Sequence, residues 1–132
     1  MIVADASLVA NALGDDGADG DIARAALHQD PDIAAPDLVD VETVSVLRRR
    51  WLAGDLTAQR FRVAITDLND LDLTRHPTLP HMPRAYDLRA NVTPYDAAYI
   101  GLAEALDCPL LTADVRLAKA PGLRCEIRVV RP

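Results

Sequence analysis

A chain of 132 residues is the size of one domain and long enough to bury a core without disulfide or metal staples, so one domain over residues 1–132 is expected. Half of the residues are hydrophobic and only 4% aromatic, so the core must be built from Ala, Val, Leu and Ile, which fits helices packed on a buried sheet better than an aromatic-rich β-sandwich. A net charge of −6 argues against a general nucleic-acid coat, because sequence-independent phosphate binding is driven by Lys and Arg, although it leaves room for a local basic patch.

Met1 to Ala4 is a short apolar run that reaches Asp5 at once, and Ala6 to Leu13 then reads as a helix. Asp5 suits an N-cap at this turn, but a carboxylate at the carboxyl end of a buried strand is also where open α/β sheets place ligands. Gly14 to Asp21 is acidic and glycine-rich, yet its spacing fails the calcium-loop pattern, so a solvated loop is expected before a helix over Ile22 to His28. Ile33 to Ala35 reads as a buried strand closed by Pro36, with Asp37 capping a helix from about Leu38 to Ala53.

Glu42 in that helix has Leu38 and Val46 four residues to either side and Val39 three before it, which places an acid in or beside an apolar stripe. A lone buried carboxylate is costly unless paired or bound to a cation, so Glu42 is either salt-bridged, with Arg49 as the available partner, or a metal ligand. The run Arg48-Arg49-Arg50 reads as a solvated basic face. A helix over Thr57 to Asp70, a strand over Leu71 to Thr74, a loop with Pro77, Pro80 and Pro83 and a helix around Arg84 to Ala90 follow. His28, His76 and His81 lack the spacing of zinc ligands, the latter two falling in the loop region.

Thr93-Pro94-Tyr95-Asp96 opens a helix running to Leu106, with Thr93 as cap, Pro94 at the first helical position and Asp96 completing a T-x-x-D capping box. Cys108 to Thr112 reads as an apolar strand, Ala113 to Lys119 as a helical turn with Asp114 just past the strand, and Arg124 to Val130 as the last strand. Cys108 and Cys125 lie beside or within strands without C-x-x-C spacing, so reduced thiols are expected. No basic, apolar and small-residue sequence opens the chain and no stretch approaches transmembrane length, so a soluble, cytoplasmic protein is expected.

The alternation of strands and helices predicts an α/β fold with a central, mainly parallel sheet flanked by helices. If the first strand and the strand at Pro109 to Thr112 are neighbours, Asp5 and Asp114 emerge on one edge, and helices starting near Asp37 and Thr93 can bring Glu42 and Asp96 there. Unit charges 4 Å apart repel by ~4 kcal/mol at an effective dielectric of 20, a problem that a hard divalent cation removes. All-oxygen donors favour Mg²⁺ or Mn²⁺ over zinc, and such ions suit phosphodiester cleavage.

Four segments carry a specific resemblance: Met1 to Ser7 around Asp5, Pro36 to Glu42, Thr93 to Tyr99 around Asp96, and Leu110 to Ala118 around Asp114. Together, in this order, they resemble the four acidic motifs of PIN-domain ribonucleases, and length and order match the VapC-type toxins of toxin-antitoxin pairs. The resemblance implies a PIN-like three-layer α/β/α sandwich and a Mg²⁺- or Mn²⁺-dependent endoribonuclease. It also implies a homodimer, inhibited by a VapB-type antitoxin whose tail enters the acidic groove. Asp5, Glu42, Asp96 and Asp114 carry over as catalytic metal ligands, with Ser7 and Thr112 as supporting hydroxyls. Arg116 and Lys119 stand where the family often has a denser basic run that touches RNA or the partner. A haloacid-dehalogenase-like phosphatase would want a second acid where Ser7 stands, and a receiver domain would want an acidic pair on the first strand and a late Lys. A catalytically silent acidic partner-binding module is the non-enzyme alternative.

Overall fold

The structure is a computed structural model describing residues 1–132. Its elements are β1 (Ile2–Ala4), α1 (Ala6–Gly14), α2 (Ala18–His28), β2 (Ile33–Pro36), α3 (Val39–Leu52), α4 (Ala58–Asp70) and β3 (Thr74–His76), then α5 (Met82–Asp87), α6 (Pro94–Leu106), β4 (Leu110–Thr112) and β5 (Ile127–Val129), with short 3-10 turns at Leu79–His81 and Leu117–Lys119. The five strands form one parallel sheet in the order β3-β2-β1-β4-β5. β1 is buried throughout, as its uninterrupted apolar run requires of a strand covered on both faces. Helix α1 packs on α2, α3 and α4, while α6 packs on α5 and lies against β1, β2 and β4, completing an α/β/α sandwich. One cluster of 29 buried residues, dominated by Ala, Leu and Val, runs through these layers. No helix is long and apolar enough to cross a membrane.

This strand order has a functional consequence. From β1 the chain moves to β2 and β3 on one side, then crosses to β4 and β5 on the other, so the connections diverge between β1 and β4. The carboxyl ends of the strands flanking such a divergence form a crevice. Val3 and Ala4 pair with Leu110 and Leu111, so Asp5 and Asp114 follow adjacent strands at this edge, as the neighbouring-strand expectation required.

Several local expectations are corrected. The acidic stretch is half helical: α2 begins at Ala18, with Asp19 and Asp21 in its first turn, where carboxylates oppose the positive end of the helix dipole. Asp15 folds the connection by accepting N–H bonds from Gly17 at 2.8 Å and Gly20 at 3.1 Å, and Asp16 pairs with Arg60. Asp37 does not cap α3; it accepts from the Thr78 backbone and hydroxyl and so ties the β2 exit to the turn after β3. The third strand lies at Thr74–His76 because Leu71 caps α4 and Leu73 is buried in the core, so the alternation from Leu71 records core packing just ahead of the strand. His76 is consequently a strand residue, not a loop residue. Arg50 is not simply solvated, since its guanidinium bonds the Ala10 carbonyl and the Asn11 side chain on α1. β5 is shorter than expected, because Arg124 turns its N–H to the Glu104 carboxylate at 2.7 Å. Both cysteines are free and half-buried, and burial pushes the Cys125 thiol up to about 11.

Gly20 makes a close approach that no side chain fits. A Cβ there would lie 1.7 Å from the Asp15 carbonyl oxygen, which already accepts from Arg24 at 2.8 Å. Gly20→Ala is therefore expected to cost about 1–3 kcal/mol through overpacking at the α1–α2 junction, read as a lower midpoint in chemical denaturation.

Candidate active site

Asp5 occupies the most constructed position. It is the N-cap of α1 and 6% exposed. Its Oδ1 accepts from the Ser7 hydroxyl at 2.6 Å and the Leu8 N–H at 3.1 Å, and its Oδ2 accepts from the Thr112 hydroxyl. Ser7 Oγ also accepts the Ala113 N–H at 3.1 Å, and Thr112 Oγ1 accepts the Asp114 N–H at 3.0 Å. This network therefore sews the carboxyl end of β1 to that of β4. Burial still outweighs the hydroxyl donors, holding the Asp5 carboxyl above its ordinary range, with Asp96 adding to the shift.

Asp96 is delivered by helix-capping chemistry. Thr93 Oγ1 accepts the Asp96 N–H at 3.2 Å and Pro94 stands in the first turn, where its missing N–H costs nothing. Burial raises the Asp96 carboxyl, as does the charge of Asp114, against the pull of Thr93 and Arg116. The two strand-end and helix-start acids are thus close enough to act on each other.

Glu42 lies in the first turn of α3 and is half-buried. It forms no ion pair, so the salt bridge to Arg49 considered from the sequence is not made, and Arg49 acts on it only as a weak nearby charge. Glu42 Oε1 is buried without any hydrogen-bond partner. Burial raises its carboxyl first, against the neighbouring Tyr99 hydroxyl, and Asp96 and Asp5 then add to the shift. Glu42 therefore faces the same space as the other acids.

Asp114 differs. Arg116 takes both of its oxygens, with Nε–Oδ1 at 3.2 Å and Nη2–Oδ2 at 3.1 Å, while the Arg116 N–H bonds Oδ1 at 2.9 Å. That guanidinium holds the Asp114 carboxyl below the usual range, while Asp5, Glu42 and Asp96 are all held above it. Lys119 is exposed at the end of the following turn and touches none of the acids. As the side chains stand, no three acids are arranged as a ready-made ligand group. The reasons are visible: hydroxyls occupy both oxygens of Asp5, and Arg116 occupies those of Asp114. The donor chemistry nonetheless fits a hard cation, since all donors are oxygen, three carboxyls are penalised for their charge, and one buried oxygen has no partner. Clefts of about 550 and 610 Å³ lie elsewhere, and none of the four acids lines them.

Sequence reasoning did not single out Tyr99. It sits three residues after Asp96 on α6, is 2% exposed, and carries a hydroxyl with no hydrogen-bond partner next to Glu42. The i,i+3 spacing from Asp96 was the available signal, hidden because a tyrosine among alanines reads as ordinary core.

A parallel sheet whose connections diverge between two acid-terminated strands, with further acids brought in by two helices, is the arrangement of PIN domains, and residues 2–123 match the family model described as PIN domain. Mycobacterium tuberculosis Ribonuclease VapC1 is 44% identical over 130 residues, covering 98% of this chain and 97% of that protein. Ribonuclease VapC9 of the same organism is 43% identical over 131 residues, covering 98% of each. The crystal structure of Mycobacterium tuberculosis VapC20, described as a sarcin-ricin loop cleaving toxin, superposes with a TM-score of 0.74 over the whole of both chains at 17% identity, a likeness of fold. The chain belongs to the PIN-domain family, in its VapC ribonuclease group.

Proposed function

We propose that this protein is a Mg²⁺- or Mn²⁺-dependent endoribonuclease, the toxin of a toxin-antitoxin pair, and that Asp5, Glu42, Asp96 and Asp114 form its catalytic metal site. The observation that carries this reading is the gathering of charge: Asp5, Glu42 and Asp96 come from three different elements and lie near one another, Asp5 buried and the other two half-buried, all with their carboxyls held up, and Glu42 Oε1 has no partner. A fold pays that cost where a cation is to be bound. The kinship with VapC1 and VapC9 supports RNA as the substrate and a VapB-type antitoxin as the partner, and the proposal includes homodimeric assembly and a cytoplasmic location.

When bound, the ion supplies charge that activates water for attack on a phosphodiester and offsets the charge gathering on the phosphate and leaving oxygen. The chain's own residues prepare that site. Asp5 is held in one orientation by Ser7, Leu8 and Thr112. Thr93 sets where α6 starts and so where Asp96 points. Arg116, 88% exposed at its side chain, guards Asp114 and is free to swing outward to a phosphate oxygen of RNA, releasing Asp114 toward the groove, with Lys119 as a second outer cation.

Incubation of the purified protein with total RNA is expected to give cleavage with Mg²⁺ or Mn²⁺, none with EDTA, and full return on adding back the ion. Cleavage that persists in EDTA would sink the metal assignment, and intact RNA under every condition would favour the silent partner-binding alternative.

A further inference from the structure

Tyr99 presents a problem of its own. Packing alone would be served by phenylalanine, yet this fully enclosed ring carries a hydroxyl without a partner, and burying such a group unpaired is costly. The only other buried, partnerless side-chain polar atoms are Glu42 Oε1, Thr43 Oγ1 and Arg60 Nη1. Thr43 points to the core side of α3 and is fully buried, and Arg60, in the first turn of α4, pairs with Asp16. Glu42 supplies an acceptor and Tyr99 a donor, and the two buried groups are neighbours. They are each other's available partner.

We propose that Tyr99 is a positioning residue, whose phenol donates to Glu42 and sets the direction of its carboxylate in the acidic groove. The ring is held in the core and turns about only two bonds, whereas the glutamate on α3 has three to fix. The hydroxyl thus ties Glu42 to α6, the same helix that carries Asp96, so two of the acids are set by one rigid element. Burial, then the charges of Glu42 and Asp5, hold the phenol far above its ordinary range. The consequence for metal binding rests on the function proposed above; the hydrogen bond itself does not.

The test is Tyr99→Phe, which keeps the ring, beside Glu42→Gln. Calorimetric titration with Mn²⁺ is expected to show binding about 10–100-fold weaker in Tyr99→Phe than in the wild type, the range for residues that orient a ligand. RNA cleavage by Tyr99→Phe should return toward the wild-type maximum when Mn²⁺ is raised, while cleavage by Glu42→Gln should not. Mn²⁺ binding within twofold of the wild type, with only a lowered melting midpoint, would show a packing role and overturn the proposal. In the metal-free protein, the carbon resonance of the Glu42 carboxylate should move in Tyr99→Phe; an unmoved resonance overturns the hydrogen bond whether or not the wild type binds Mn²⁺. A moved resonance in a wild type that takes no Mn²⁺ upholds the hydrogen bond and rejects the metal reading alone.

Discussion

Asp96→Asn is expected to leave a folded protein whose RNA cleavage falls by roughly 10²–10³-fold, the scale seen when one preorganised charge-stabilising group is removed from an active site. Asparagine keeps the shape at the third helical position, and the Thr93 cap bonds the backbone N–H, which the substitution does not touch. What disappears is a negative charge that the metal-free protein does not favour. The folded carboxyl sits above its ordinary value of 3.8, so the native state holds its proton to higher pH than the unfolded chain does. Wild-type stability contributed by this group is therefore present in acid and lost as pH rises through the raised folded pKa. In EDTA, Asp96→Asn should match the wild type in thermal unfolding near pH 3 and equal or exceed it at pH 7, while cleavage with Mg²⁺ collapses. A variant that melts well below the wild type at pH 7 would mean that the carboxylate is there to hold the helix.

The second large effect is expected at Thr112, which is fully buried and touches both strand-end acids. Its hydroxyl is the sole donor to Asp5 Oδ2 and also accepts the Asp114 N–H. Thr112→Val leaves both of those groups short of a partner, for an expected loss of about 1–3 kcal/mol in urea unfolding. Because Asp5 would then turn more freely, cleavage should drop by roughly 10–100-fold, the range for outer-shell partners of metal ligands. Ser7→Ala should do less at Asp5, since Leu8 N–H remains on Oδ1. If Thr112→Val lost stability but kept full activity, the network would be a structural stitch between β1 and β4 and nothing more.

How much of this was legible in the sequence depends on the distance over which each residue acts. Asp5 and Asp96 could be read because N-caps and capping boxes are local grammar, and the structure makes the cap bonds from Leu8 to Asp5 and from Asp96 to Thr93. Glu42 stood out because its charge interrupts an apolar stripe, and its orphaned oxygen is the structural counterpart of that anomaly. Asp37 misled because an acid before a helix reads as a cap, whereas its partner, Thr78, is 41 residues away. The shift of β3 to Thr74–His76 has a similar origin, since alternation at Leu71 and Leu73 cannot distinguish a strand from residues that close the end of a helix. The clasp of Arg116 on Asp114 depends on a tight turn whose shape no periodicity encodes. The pairing proposed for Tyr99 and Glu42 joins residues 57 apart in sequence, which only the assembled fold brings together.

The proposed function requires that the acids following β1 and β4 and those on α3 and α6 hold one cation site. Crystals soaked in Mn²⁺ and measured at its absorption edge test this most directly. The expected result is anomalous density between Asp5, Glu42 and Asp96, with Arg116 swung off Asp114. Saturating Mn²⁺ that left these carboxylates bare, or that appeared only among other surface acids, would contradict it.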